Sequence, residues 1–206
     1  GGISQVHVNI KAGVTFANTL RALLRQDPDV IMVGECRDPE TANTALAAAL
    51  SGQLVFTTVH SSDAPRTVER FVELGVSRAS LAAGLSAILA QRLVRRLCSN
   101  CRHPNVLAED LAARYNLERD RFYFEPRGCD LCSGLGYHDR IGIFELLIVD
   151  DSLRDAIARG VSSVEVARLA RKCGYRTMAE DCLDKCRTGL TSVEEFCRVA
   201  VAVSLQ

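Results

Sequence analysis

Four cysteines stand at spacings that could bind one metal ion. Cys98 and Cys101 form one C-x-x-C pair, Cys129 and Cys132 form a second, and 27 residues separate the two pairs. Two such pairs can close a tetrahedral site of four thiolates, which is the usual arrangement of structural zinc. A metal-free pair of reduced loops is the alternative. A redox pair is disfavoured because neither pair opens a thioredoxin-like βαβ unit. The spacing therefore predicts a structural Zn²⁺ site.

A carboxylate and an imidazole follow two short apolar segments. Val30–Val33 leads through a glycine to Glu35, and the segment 54–59 leads to His60. Both segments predict strands buried on both faces. Open α/β sheets bind ligands beyond the carboxyl ends of their strands, where a carboxylate can hold a phosphate-bound Mg²⁺ through water or orient an attacking water. The alternatives are a solvated glutamate at the end of a core strand and a histidine with a structural hydrogen bond.

The elements around these two residues predict a parallel sheet. Asp38 is a typical helix N-cap and Pro39 suits the first helical position, so a helix should run through the alanine-rich segment that follows. A second helix is predicted over 67–74. Strand, helix, strand and helix in short order indicate parallel strands joined by right-handed crossovers. The carboxyl ends of the two strands would then bring Glu35 and His60 to one edge of the sheet.

The C-terminal third carries helix signals and no obvious chemistry. Ser162, Thr177 and Thr191 each precede a glutamate by three residues, as in a capping box, and predict three short helices in a small bundle. Cys182 and Cys186 are spaced to share one helix face. They are interpreted as small buried hydrophobes, with a second metal site as the alternative.

Five segments together resemble the traffic ATPases of type II secretion, type IV pilus assembly and DNA uptake. They are RQDPDVIMVGECRD (25–38), ETA (40–42), TTVHSSDA (57–64), AQRLVRRLC (90–98) and GYHDRIGIFELL (136–147). The resemblance extends over essentially the whole chain. It equates Gly34 and Glu35 with the variant Walker B box of that family and His60 with its histidine box. Cys36, where the family usually has an aliphatic residue, lies beside the glutamate and leaves the match intact.

The resemblance implies an α/β fold with a RecA-like parallel-sheet ATPase core. Residues 1–97 would form part of that core and carry both boxes. Residues 98–132 would form the tetracysteine zinc module, which the assembling and exporting members of the family carry and the pilus-retraction members lack. Residues 133–206 would supply a return strand and a C-terminal helical subdomain that helps to pack neighbouring subunits.

Roles for single residues also follow from the resemblance. Glu35 would act near Mg²⁺ and the attacking water, His60 would make a contact linked to the γ-phosphate, and Arg140 would lie near the nucleotide base or at a subunit seam. ATP, Mg²⁺ and structural Zn²⁺ are the implied cofactors. The implied partners are further copies of the chain, in a hexamer, and platform proteins of the inner membrane, on its cytoplasmic side.

One element of such an ATPase does not occur in this sequence. A P-loop reads G-x-x-x-x-G-K-[ST], and the only lysines are Lys11, Lys172 and Lys185, none of which follows a glycine. Members of the family carry the P-loop upstream of a segment like residues 1–9. The sequence is therefore expected to be a C-terminal fragment of a longer ATPase, inactive by itself.

Composition constrains the alternatives. The 206 residues carry no net charge, so no global basic field indicates nucleic-acid binding. No apolar segment approaches the roughly 20 residues of a membrane span, and the first residues of the sequence are not expected to form a signal peptide. Nine cysteines, an odd number, favour a reducing compartment over a disulfide framework. The alternative function is a zinc-stabilised protein- or nucleic-acid-binding module without catalysis. Arg92, Arg95 and Arg96, expected on one helix, would then supply the basic surface.

Overall fold

The described chain divides into two compact units. The structure is a computed structural model, and it describes residues 2–115, 117 and 122–200. Unit 1 comprises 1–88 and 147–174, and unit 2 comprises 89–146 and 175–206, each within the described residues. The last six residues of the third predicted domain lie outside that part of the chain. The domain boundaries predicted from the sequence stay predictions.

Unit 1 is built on a parallel pair of strands, β1 (Val30–Val33) and β2 (Leu54–Thr57). The register pairs Val30 with Leu54 and Met32 with Phe56, and all four of these side chains are exposed; Met32 is 73% exposed. The expectation of strands buried on both faces is therefore wrong. A run of four apolar residues does not reveal how many faces of a strand are covered. Among the described residues, one face of this pair is packed and the other is open.

The helices of unit 1 follow the predicted caps closely. Helix α1 (Phe16–Leu24) precedes β1, and α2 (Pro39–Leu50) connects β1 to β2 and packs on β2. Asp38 caps α2 by accepting the Thr41 N–H at 2.8 Å, as its sequence position predicts. The remaining helices are α3 (Ala64–Glu73), α4 (Arg78–Gly84), α6 (Asp151–Arg159) and α7 (Ser163–Lys172), where α3 packs on α7 and α4 packs on α6.

Two further strand pairs lie mainly in unit 2. Strand β3 (Ala87–Leu97) pairs with β6 (Tyr137–Ile148), and β4 (Arg102–Val106) pairs antiparallel with β5 (Phe122–Pro126). Helix α5 (Glu109–Tyr115) lies between β4 and β5 in the sequence. The arginines at 92, 95 and 96 are thus on strand β3, and their expected placement on a helix is wrong. The apolar residues of this segment fit both a helical and an alternating pattern, and pairing with β6 decides between them.

Two C-terminal helices complete the core of unit 2. They are α8 (Met178–Arg187) and α9 (Val193–Glu195), and a π-helical turn over Phe196–Ala200 follows α9. Cys182 and Cys186 are fully buried on α8, in a cluster with Tyr123 and Ile143. The interpretation of these two cysteines as small core residues is therefore confirmed.

The predicted helix caps in the C-terminal third need one correction. Thr177 forms the complete capping box, and Ser162 accepts the N–H of the third helical residue. Thr191 does not cap a helix. Its hydroxyl donates to the Arg95 carbonyl at 2.8 Å, and Ser192 is the N-cap of α9. No helix among the described residues is long and apolar enough to cross a membrane.

Candidate functional site

Glu35 and His60 meet beyond the carboxyl ends of the parallel strands. Glu35 follows β1 by two residues and His60 follows β2 by three. His60 Nε2 lies 3.8 Å from Glu35 Oε2, with the glutamate side chain 25% exposed and the histidine 85% exposed. The two side chains therefore come from separate strands to one open edge. An arrangement of this kind can present a carboxylate and an imidazole to the same ligand.

Hydrogen bonds between the two loops fix this edge. The Cys36 N–H donates to the Thr58 carbonyl at 2.9 Å, and the Thr58 hydroxyl donates to the Gly34 carbonyl at 2.6 Å. The Cys36 thiol also lies 3.3 Å from the Thr57 hydroxyl. The pairing of the strands thus continues past β1 and β2, so the backbone on both sides of Glu35 is held.

One residue of the edge was missed in the sequence. The guanidinium of Arg37 donates through Nε to Glu35 Oε2 and forms an ion pair with it. The available signal was the spacing, because residues two apart on an extended chain point to the same side. Arg140 is exposed on β6 and belongs to unit 2.

The four predicted cysteines converge in unit 2. The sulfur atoms of Cys98, Cys101, Cys129 and Cys132 all lie within 4.8 Å of one another. The separations are 3.9 Å for Cys98–Cys129 and 3.8 Å for both Cys101–Cys132 and Cys129–Cys132. These distances are far longer than the roughly 2.05 Å of a disulfide bond. A tetrahedral site with Zn–S bonds of about 2.3 Å has sulfur–sulfur edges of about 3.8 Å. The cluster therefore has the dimensions of a zinc site.

Hydrogen-bond donors around two of the four sulfurs favour thiolates. The Asn100 amide donates to Cys129 Sγ at 3.3 Å, and that bond, with others to the backbone and neighbouring thiols, lowers the Cys129 pKa to about 6. Burial raises the pKa of the Cys132 thiol, but N–H groups of Cys129 and Gly136 outweigh it, and the net direction is downward. Burial raises the Cys101 pKa to about 11. Hydrogen-bond donors of this kind commonly surround metal-bound thiolates. The donor set therefore fits a bound cation.

A glycine is required beside this cluster. Gly136 has φ +74°, and a Cβ built there would lie 2.3 Å from the Pro126 Cβ. Its N–H donates to Cys132 Sγ at 3.1 Å. Only glycine adopts this backbone conformation readily and also leaves room for β5. Within the described residues, these four cysteines are the one group of three or more metal-type side chains close enough to share an ion.

The middle one of the three β3 arginines, Arg95, is held in ion pairs. Arg95 pairs with Glu194 and Glu195, and its guanidinium carbon lies 4.0 Å from the centroid of the Tyr137 ring. Its charge is therefore balanced by two glutamates of unit 2. This arrangement weakens the alternative of a nucleic-acid-binding surface built on the three arginines, because phosphate binding needs cations that are available to the ligand.

Known proteins resemble this chain over most of its length. The family described as "Type II/IV secretion system protein" matches residues 1–198. The type IV pilus assembly ATPase PilB of Thermus thermophilus is 46% identical over 199 residues, which are 94% of this chain and 22% of that protein. Type II secretion system protein E of Dickeya dadantii is 44% identical over 198 residues, which are 96% of this chain and 40% of that protein. The chain thus spans less than half the length of these relatives.

Solved structures show the same α/β architecture. The pilus retraction motor PilT, solved with bound ADP, superimposes with a TM-score of 0.63 at 28% identity, over 90% of this chain and 43% of that one. The ATPase DotB of Legionella pneumophila gives a TM-score of 0.63 at 25% identity, over 91% of this chain and 42% of that one. The α/β fold predicted from the sequence is therefore confirmed, and its structural neighbours are RecA-like traffic ATPases.

Proposed function

The chain belongs to the type II/IV secretion system protein family, and from that premise we propose that it forms part of an ATPase that powers protein secretion or pilus assembly. The observation that carries the proposal is the meeting of Glu35 and His60 at the carboxyl edge of β1 and β2, 3.8 Å apart. Both lie in the segments that the sequence resemblance equates with the nucleotide-handling boxes of the family.

The chemistry assigned to this edge is positioning and electrostatics. Hydrolysis of a phosphoanhydride depends mainly on holding the phosphates, the metal ion and the attacking water in line. Glu35, held by the hydrogen-bonded loops on either side, would orient the water near Mg²⁺. His60, whose side chain is 85% exposed, would make a contact linked to the γ-phosphate. Arg140 is proposed to lie near the nucleotide base or at a seam between subunits.

We propose that the phosphate cradle comes from another part of a longer polypeptide. The sequence contains no P-loop, and the described side chains that meet at this edge are the carboxylate of Glu35, the imidazole of His60 and the guanidinium of Arg37. We therefore propose that the 206-residue chain does not turn over ATP alone. In the complete protein we propose a hexamer that works with platform proteins on the cytoplasmic side of the inner membrane.

The cysteine cluster is proposed to bind one structural Zn²⁺. Cys98, Cys101, Cys129 and Cys132 would fill all four positions, so none is open for water or substrate. Bound zinc would tie the end of β3 to the loop that enters β6, which joins two segments about 30 residues apart in unit 2. The cluster also agrees with the higher identity to the pilus assembly and secretion relatives than to the retraction motor.

Substitutions at the edge test the assigned function in the full-length protein. Glu35→Gln should lower the rate of ATP hydrolysis by about 100-fold or more, since the carboxylate acts in the transition state, and should leave the melting temperature unchanged. His60→Ala should reduce turnover with less effect on nucleotide binding. The 206-residue chain should show no turnover above buffer. Near-normal hydrolysis by both variants, or Glu35-dependent hydrolysis by the short chain, would refute the proposal.

A further inference from the structure

We propose that Arg37 is the residue by which this site distinguishes ATP from ADP. In this structure its guanidinium is paired with the carboxylate of Glu35. When ATP binds, it would move to the terminal phosphate and release that carboxylate. The inference rests on the proposed ATPase function and adds to it a phosphate-binding residue and the group that pairs with Glu35.

The backbone of Arg37 is fixed, but its side chain is not. On one side the Cys36 N–H is bound to the Thr58 carbonyl, and on the other the Asp38 carboxylate accepts both the N–H and the hydroxyl of Thr41 at the start of α2. The Arg37 side chain is 69% exposed. A long side chain that starts from a held backbone can change partners without any change in the fold.

The ion pair with Arg37 engages a carboxylate oxygen of Glu35 that would otherwise be available to water or Mg²⁺. Arg37 Nε donates to Glu35 Oε2, and the same oxygen lies 3.8 Å from His60 Nε2. A carboxylate that orients water or holds a hydrated Mg²⁺ has to offer its lone pairs to that ligand. In the paired state one oxygen of Glu35 accepts from a guanidinium instead. Glu35 would therefore not be free to act until Arg37 has moved.

Magnesium ATP supplies what is needed for the exchange. An exposed ion pair is weak because water and salt screen it. A terminal phosphate carries more charge than a carboxylate and matches the fork of a guanidinium in the same bidentate way. Bound Mg²⁺ would attract Glu35 and the terminal phosphate would attract Arg37, so both partners of the ion pair would gain new ones. ADP lacks the terminal phosphate, and with ADP the pair would persist.

Other arginines near this edge already have structural partners. Arg21 on α1 pairs with Glu40 on α2, and Arg66 on α3 pairs with Asp63, the cap of its own helix. Those pairs connect or cap helices. The ion-pair partner of Arg37 is the proposed reactive carboxylate itself, which marks this arginine as part of the site.

The test compares two nucleotides in the full-length protein. Dissociation constants are measured for Mg-ADP and for a non-hydrolysable ATP analogue, with the unmodified protein, with Arg37→Ala and with Arg37→Lys. Arg37→Ala should weaken binding of the ATP analogue by about tenfold and leave the ADP constant within about twofold, and kcat should fall as well. Arg37→Lys should be intermediate, because lysine keeps the charge without the fork.

Arg159→Ala provides the matched control. Arg159 is 64% exposed and pairs with Asp155 on α6, so the control also removes an exposed, ion-paired arginine from unit 1. It should change neither constant. A parallel loss of both nucleotides in Arg37→Ala, or an unchanged preference for the ATP analogue, would overturn the inference. If Glu35→Gln abolishes hydrolysis while Arg37→Ala keeps its preference, only this inference fails; normal hydrolysis by Glu35→Gln removes the proposed function as well.

Discussion

A buried carboxylate in unit 2 gives the sharpest test of the packing. Glu195 on α9 is 0% exposed, and it accepts the Arg95 backbone N–H at 2.7 Å, Arg95 Nε at 2.8 Å and two nitrogens of Arg198 at 2.6 and 2.7 Å. Glu195→Gln preserves the shape of the side chain and removes its charge. The two arginines are then left beside a neutral amide.

The size and the pH dependence of the effect follow from the pKa. Burial raises the pKa of Glu195, but Arg198 and Arg95 outweigh it and lower the value from 4.5 to about 2. At about 1.4 kcal/mol per pKa unit this corresponds to about 3 kcal/mol. Both guanidinia reach solvent and are partly screened, so we expect about 2 to 3 kcal/mol. Because the folded-state pKa is the lower one, this stability is fully present above about pH 5 and is lost as the pH falls toward 2.

Tyrosine fluorescence can follow this unit selectively. The sequence contains four tyrosines and no tryptophan, and all the tyrosines (Tyr115, Tyr123, Tyr137 and Tyr175) belong to unit 2. Urea unfolding of the chain and of Glu195→Gln is measured at pH 7, 5 and 3. The difference in unfolding free energy should be greatest at pH 7 and should shrink with acid. Both proteins keep the four metal-type cysteines, so any metal loss in acid affects them alike.

The control variant replaces a glutamate near the surface whose hydrogen-bond partner is a neutral amide. Glu125 on β5 accepts from the Asn105 amide at 2.6 Å near the surface, and Glu125→Gln keeps an acceptor there. Its unfolding curve should match that of the unmodified chain. Equal stability of Glu195→Gln and the unmodified chain at pH 7, or a difference that does not vary with pH, would refute the reasoning about the buried carboxylate.

Two further predictions concern the cysteine cluster. Protein purified under reducing conditions should contain one zinc per chain by elemental analysis. The double variant Cys101→Ser/Cys129→Ser should lose the zinc, and its unit 2 should melt at a lower temperature, since metal binding is coupled to folding. An unchanged zinc content in this variant would rule out these ligands. Gly136→Ala should also reduce zinc content and stability, because its methyl group would clash with Pro126. Gly34→Ala should keep the fold, because its methyl group would lie 3.5 Å from the nearest ring atom of Phe16. Equal stability of the two variants would contradict the steric argument.

Much of the candidate site could be predicted because its signals are local. The N-cap at Asp38 and the apolar runs before Glu35 and His60 determine strand, helix and strand in order, and parallel topology then brings both residues to one edge. The spacing of the cysteine pairs similarly restricts them to a few geometries. Neither prediction required knowledge of distant contacts.

What could not be predicted depends on partners distant in sequence. Segment 90–98 fits a helix or a strand by its own pattern, and pairing with β6 decides. Thr191 carries a capping-box signal that fails because its hydroxyl binds the Arg95 carbonyl, almost a hundred residues away, so Ser192 becomes the cap. The spacing of Arg37 and Glu35 places both on one side of the chain, but their contact also depends on the rotamer of an exposed arginine side chain, which the spacing does not specify.

The open face of the β1–β2 pair has a consequence for the behaviour of the chain in solution. This face carries two exposed apolar cross-strand pairs, Val30 with Leu54 and Met32 with Phe56. Exposed apolar patches of this kind promote self-association. With an isoelectric point near 7.0, the molecules carry no net charge that would repel one another at neutral pH. Colloidal stability of the chain should thus be lowest near neutrality, and a mild detergent should disperse it better than added salt.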